Sequence, residues 1–184
     1  MIAPSLLLEF AVTVLAKSNA MQNELKTPGL WVRMASWFYE GILVFGVGFV
    51  AAYLLDTLSQ SRHALQNRDL RIGYLFVVFG VYFVWFWAKG ETLAMKTWRI
   101  RLVDGQGRAV SQLRSLMRYC LSWVWFLPPL AASMLFGVSL GETTLFVCGW
   151  VVFWALLSRL HPTGQFWHDA LAGTQLVTSP PVKR

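Results

Sequence analysis

Four stretches of the chain stay apolar for longer than a strand requires, and their order predicts the architecture. Trp37 to Leu55 is one such run, interrupted only by Glu40. Ile72 to Ala88 is a second, free of charge and ending in the aromatic cluster Tyr82, Phe83, Trp85, Phe86 and Trp87. Tyr119 to Val138 is a third, with Pro128-Pro129 inside it, and Thr144 to Leu157 is the shortest. A helix of about 20 residues crosses the hydrocarbon of a bilayer. The fourth run lies at the margin where a re-entrant or buried segment also fits. The pattern predicts an all-α membrane protein, a four-helix transmembrane bundle with spans at about 37–55, 72–88, 119–138 and 144–157.

Between the second and third runs, residues 89–118 form a polar loop with its own pattern. Trp98-Arg99-Ile100-Arg101-Leu102-Val103 partly alternates polar and apolar positions, and Asp104-Gly105-Gln106-Gly107 follows. Alternation ending in Asp-Gly reads as a strand entering a tight turn, with Arg108 to Val110 as its return. Ser111 then suits the N-cap of a helix leading into span three. Thr174-Gln175-Leu176-Val177 is another strand candidate. A small β-hairpin or strand cap is expected on the cytoplasmic face. Pro128-Pro129 removes two backbone donors and should kink span three.

Composition supports the membrane reading. Apolar residues make up 56% and charged residues 14%, against about a quarter charged in a soluble domain. The 10 Trp and 13 Phe suit rings held at headgroup depth. The net charge is +7, and its distribution is more informative than its size. With the N-terminus inside, the inner side receives Lys17, Lys26, Arg33, Lys89, Lys96, Arg99, Arg101, Arg108, Arg114, Arg118, Arg159, Lys183 and Arg184. The outer side receives Arg62, Arg68 and Arg71. This is a positive-inside bias. It places both termini of a multi-pass chain in the cytoplasm. The basic loop could attract anionic lipid; solvated positive-inside charge accounts for it equally well. Nucleic acid is not an expected partner.

The organisation follows: an N-terminal extension over 1–27, the membrane domain over 28–177 and a tail over 178–184. Met1 to Ala16 is apolar, but Glu9 interrupts it and no basic residue precedes it, unlike a secretory signal. It reads as an interfacial helix, or as an extension upstream of a start at Met21. Cys120 and Cys148 lie within apolar runs and are expected to be packing residues.

Glu40 is the candidate site residue. An ionised carboxylate inside a span is costly unless paired or wet, so it should face the bundle interior and bind a proton or cation. Arg33 lies seven residues earlier on the same helix face, about 10 Å away along the axis. The tail segment His161-Pro162-Thr163-Gly164-Gln165-Phe166-Trp167-His168-Asp169 returns to the inner surface, so Asp169 could pair with Arg33. Lys96 and His168 complete the expected charge cluster, which would gate a pathway or simply fasten the tail. No metal is expected: His161 and His63 do not complete a ligand set around His168-Asp169. No Walker loop, nucleophile elbow or paired catalytic carboxylates occur, so no catalytic residue, cofactor or enzymatic activity is expected.

Several of these residues together resemble the RDD family of bacterial membrane proteins, named for one arginine and two aspartates. The resemblance rests on Arg33 with an acid seven residues later, on Gly90-Glu91-Thr92-Leu93-Ala94-Met95-Lys96 followed by Trp98-Arg99-Ile100-Arg101-Leu102-Val103, and on His168-Asp169-Ala170-Leu171-Ala172-Gly173-Thr174. Arg33 matches the arginine and Asp169 one aspartate, while Glu40 replaces the other and Ala94 replaces a usual glycine. Gly90, Thr92, Gly173 and Thr174 are the remaining motif positions. The resemblance implies a transport role, cation/proton exchange having been proposed for some members. Four spans make a narrow pathway, so a homo-oligomer is expected. The rival reading is a non-transporting scaffold, assembly or regulatory partner in which the charge cluster is structural.

Overall fold

The computed structural model describes residues 26–59 and 68–179. The expected interfacial helix before residue 26, most of the loop between the first two spans and the last residues of the tail lie outside the described residues. Helix α1 spans Leu30–Leu58, α2 Arg68–Ala88 and the short α3 Leu93–Thr97, followed by strand β1 at Ile100–Asp104. Helix α4 (Gln112–Ser122), a 3₁₀ turn (Trp123–Trp125) and α5 (Leu127–Phe136) follow in line. Helix α6 covers Leu140–Leu157, a second 3₁₀ turn Ser158–Leu160, α7 Trp167–Leu171 and strand β2 Thr174–Thr178.

Four segments are long and apolar enough to cross a bilayer: Leu30–Leu58, Arg68–Thr97, Gln112–Phe136 and Leu140–Leu160. Their surfaces invert the usual arrangement. Buried positions include Arg33, Ser36, Ser115, Arg118, Ser133 and Ser158, while Trp31, Phe45, Leu135 and Leu145 are exposed. Among acyl chains this is the favourable distribution, because polar side chains find partners only inside the bundle. Cys120 and Cys148 are exposed and so do not pack within the bundle; on helices that read as spans, their sites face outward.

The helices exceed the apolar runs at their ends for a common reason. Helix α1 begins at Leu30, seven positions before Trp37, because its first turns carry the inward-facing Arg33 and Ser36. Helix α6 begins at Leu140, where hydropathy alone starts at Thr144. A capping box sets this start: Ser139 Oγ accepts from Glu142 N–H (3.4 Å), and Glu142 Oε2 accepts from Ser139 N–H (2.8 Å). Capping residues are necessarily polar, so they hide the first turn from a hydropathy reading.

The third span is broken at Phe126, where the 3₁₀ turn ends and Leu127-Pro128-Pro129 open α5. Pro128 lacks the N–H that would otherwise bond to the Val124 carbonyl. The indole N–H of Trp150 on α6 donates to that carbonyl instead, at 2.8 Å. The break is thereby satisfied inside the bundle, as a low-dielectric environment requires.

Close helix packing depends on two glycines. A Cβ at Gly80 would stand 3.2 Å from the Tyr119 ring, and one at Gly48 would stand 2.9 Å from Phe79. Tyr119 lies in the Gly80 notch and donates its hydroxyl to the Phe76 carbonyl at 2.7 Å.

At one end of the bundle, β1 and β2 pair antiparallel with Leu102 opposite Leu176. The expected return strand at Arg108 to Val110 does not form; these residues are loop. Asp104 explains why. Its Oδ1 accepts from the backbone N–H of Gln106 and of Arg108, both at 2.9 Å, so the side chain closes the turn locally. On that side of β1, Leu102 N–H donates to the Gly90 carbonyl and Asp104 N–H to the Arg108 carbonyl, and the tail pairs along the opposite edge. Gln165 secures the other edge of β2, donating from Nε2 to the Leu176 carbonyl (2.8 Å) and accepting at Oε1 from Leu176 N–H (2.9 Å). Thr178 N–H also donates to the Lys26 carbonyl at 2.9 Å. The two ends of the described chain therefore meet on one side. At the opposite end, Arg71 Nη2 bridges to Asp56 Oδ1 at 2.6 Å.

Candidate functional site

Glu40 faces inward from α1, and its two oxygens reach different elements. Oε1 accepts from the Tyr82 hydroxyl on α2 at 2.7 Å. Oε2 accepts from the Thr92 hydroxyl. Thr92 is itself buried and caps α3, its Oγ1 accepting from Met95 N–H at 3.2 Å. One hydroxyl thus receives a backbone proton and offers its own to the carboxylate, which ties the loop motif to span one. Among the described residues no basic group lies within ion-pair distance of Glu40.

The expected Arg33–Asp169 ion pair does not form. Asp169 is fully buried, and its Oδ1 accepts from Arg118 Nε at 2.8 Å. His168 Nε2 also stands 3.1 Å from Oδ1. Trp125 Nε1 donates to His168 Nδ1 at 3.3 Å. With Nδ1 accepting from the indole, the proton on Nε2 faces Asp169. Burial alone would raise the Asp169 pKa, but the Arg118 charge and the His168 contact hold it well below the usual carboxylate range. Arg118 wins the aspartate because α4 packs against α7 and its guanidinium is clamped over the Trp87 ring, 4.0 Å from the centroid.

Arg33 lies over the Phe166 ring, 4.3 Å from the centroid. Its Nη2 makes a long contact with Ser158 Oγ at 3.5 Å, and Nε and Nη1 are buried without hydrogen-bond partners. Asp169 acts on it only through space. Lys96 does not join the cluster: it is exposed on α3 and has no ion pair among the described residues. The remaining motif residues have local backbone roles. Gly90 (φ +94°) turns the chain out of α2, its carbonyl accepting from Leu102 N–H at 2.6 Å. Gly173 (φ +66°) closes α7, and the buried Thr174 hydroxyl donates to the Asp169 carbonyl at 3.0 Å.

Glu40, Arg33 and Arg118 all line one cavity of about 650 Å³ between the first three spans. Ser36 and Ser122 add hydroxyls, and Trp37, Phe83, Trp125 and Phe166 supply much of the wall. Sequence reasoning missed Arg118, Tyr82 and Gln165 as site or anchor residues. Arg118 had a usable signal: Ser115, Arg118 and Tyr119 recur at i, i+3 and i+4 and are the buried face of α4. Nothing distinguished Tyr82 within its aromatic cluster.

Four apolar helices with a polar interior and a small strand cap define a multi-pass integral membrane protein. The RDD family matches residues 27–173, which include Arg33, Glu40, the Gly90–Val103 segment and Asp169. The chain belongs to the RDD family. No curated protein and no solved structure matches it.

Proposed function

We propose that this protein is a small transporter, or the subunit of one, in which Glu40 exchanges a proton or a cation within the membrane. The observation that carries the reading is the state of that carboxylate. It lines a cavity, both oxygens accept from neutral hydroxyls, and no cationic side chain is within ion-pair distance. Such a carboxylate keeps its charge available to an exchangeable cation, whereas a structural one would be neutralised by a fixed partner. Tyr82 and Thr92 hold it in place. The positive-inside bias supports cytoplasmic termini, and membership of the RDD family supports a bacterial inner membrane. A narrow four-helix unit favours a homo-oligomer, no enzymatic chemistry is assigned, and the basic loop attracts anionic lipid.

The scaffold reading is favoured by a different group. Asp169 is buried with Arg118 and His168 both on Oδ1, its Oδ2 having no hydrogen-bond partner among the described residues, and it fastens the tail to the third span. We assign that network to structure and Glu40 to exchange. The test is flux in proteoliposomes under an imposed pH gradient. Wild-type protein should move protons against Na⁺, K⁺ or Li⁺, and Glu40→Gln should abolish this while inserting and folding normally. Absence of flux for every ion tested would leave the scaffold reading.

A further inference from the structure

Arg33 is a buried cation whose hydrogen-bonding capacity is largely unspent. It is 5% exposed, and two of its three guanidinium nitrogens have no partner. A buried, unmatched guanidinium is expensive, and this one sits on the wall of the cavity. Arg118, the other cation on that wall, is already matched by Asp169. The cavity therefore carries one guanidinium without a direct ion pair among the described residues, reached by Asp169 only through space and stacked on the Phe166 ring.

The cavity's rim indicates what kind of anion would reach it. Phe38, Ile42 and Phe45 line the cavity and are also 67%, 55% and 75% exposed. They belong to a helix surface that faces hydrocarbon in a bilayer. The opening is consequently apolar and lateral. Its volume falls within the range of small-molecule sites, roughly 300–1,000 Å³. A hydrophilic anion would have to shed its water along an apolar route, whereas an alkyl chain entering from the membrane would not. One guanidinium matches a monoanion such as a carboxylate better than a phosphate monoester, which carries about −1.5 to −2. Glu40 lies about 10 Å further along the helix, with its oxygens already turned to Tyr82 and Thr92.

We propose that the cavity binds a long-chain carboxylate laterally from the bilayer, with its headgroup on Arg33 and its chain running past Gly41 towards Phe45. This site shares its cavity with Glu40 but uses a different headgroup contact, so binding and ion flux test the two readings separately.

The full chain is reconstituted in phosphatidylcholine nanodiscs at mildly alkaline pH, with empty discs as background. Binding of radiolabelled dodecanoate should be saturable. Arg33→Gln should weaken it roughly tenfold or more, as expected for loss of a charge-assisted contact, and Arg33→Lys should lose less. Gly41→Leu is the second variant: a Cβ at Gly41 meets nothing within 4 Å, so the helix tolerates it while the side chain enters the cavity. It too should weaken binding roughly tenfold. Dodecanol and acetate should fail to compete, and dodecyl phosphate should compete less well than dodecanoate. Equal competition by dodecanol, preference for dodecyl phosphate, or unchanged binding in either variant overturns the proposal. Should Arg33→Gln not fold, Gly41→Leu decides alone. Loss of ion flux in Glu40→Gln with dodecanoate binding intact would support both sites separately.

Discussion

Arg118 Nε donates to Asp169 Oδ1 at 2.8 Å, with both side chains almost wholly buried. The contact joins α4 to α7 and fixes the C-terminal segment against the bundle. Removing one member of a buried pair leaves the other charge uncompensated, at a cost of about 3–5 kcal/mol. Arg118→Met and Asp169→Asn should each lower the thermal unfolding temperature in detergent far more than Arg33→Gln does. Equal losses from Arg33 and Arg118 would contradict the assigned pairing.

The same aspartate sets an acid limit on stability. Its folded pKa is depressed below the unfolded value of about 3.9, so its contribution is present above that value and disappears as pH falls through the folded one. Asp104, held down first by the Arg108 backbone N–H, acts in the same direction. Unfolding temperature should be insensitive to these groups from pH 5 to 8 and fall below about pH 4. The Asp104→Asn/Asp169→Asn double variant should start lower and show a shallower acid limb.

Thr92 serves two partners, and conservative substitutions separate them from loss of the residue. Thr92→Ser keeps the hydroxyl and should be close to wild type. Thr92→Val removes a helix cap worth about 1 kcal/mol and the bond to Glu40 together. Tyr82→Phe leaves the cap intact and deletes only the Oε1 donor. On the exchange reading, it should reduce flux with a smaller loss of stability than Thr92→Val. A Tyr82→Phe protein with normal flux would remove Tyr82 from the site.

Gly80→Ala introduces a methyl 3.2 Å from the Tyr119 ring, and that ring is held by its bond to the Phe76 carbonyl. A cost of about 1–3 kcal/mol is expected from overpacking, visible as a lower unfolding temperature. Gly48→Ala meets the far end of the partly buried Phe79 ring. It should cost less, and the opposite ranking would argue against the Gly80 notch.

Trp150→Phe tests the broken third span. Without the indole donor the Val124 carbonyl is left unpaired beside Pro128, and a buried unsatisfied acceptor costs about 1–3 kcal/mol. The variant should unfold at lower temperature. If the substitution is neutral, another group must be satisfying that carbonyl.

Apolar run length made the four spans and their order legible, because lipid forces every lipid-facing position to be apolar. Span ends were less legible: Arg33, Ser36 and the Ser139–Glu142 box are polar for reasons internal to the bundle, and hydropathy reads them as loop. Glu40 and Thr92 were identifiable as residues from their cost and motif, but not as partners of one another. Pairing needed the fold, since Arg33 and Arg118 are equally good mates for Asp169 until α4 packs on α7. Likewise the sequence offered β1 a local return at Arg108 to Val110, but the Asp104 side chain closes that turn itself, and the paired strand comes on the opposite edge from a tail remote in sequence. The chain alone determined which residues are costly within a membrane; only tertiary contact decided which of those costs are cancelled, because ion pairs and hydrogen bonds depend on ångström distances between segments remote in sequence.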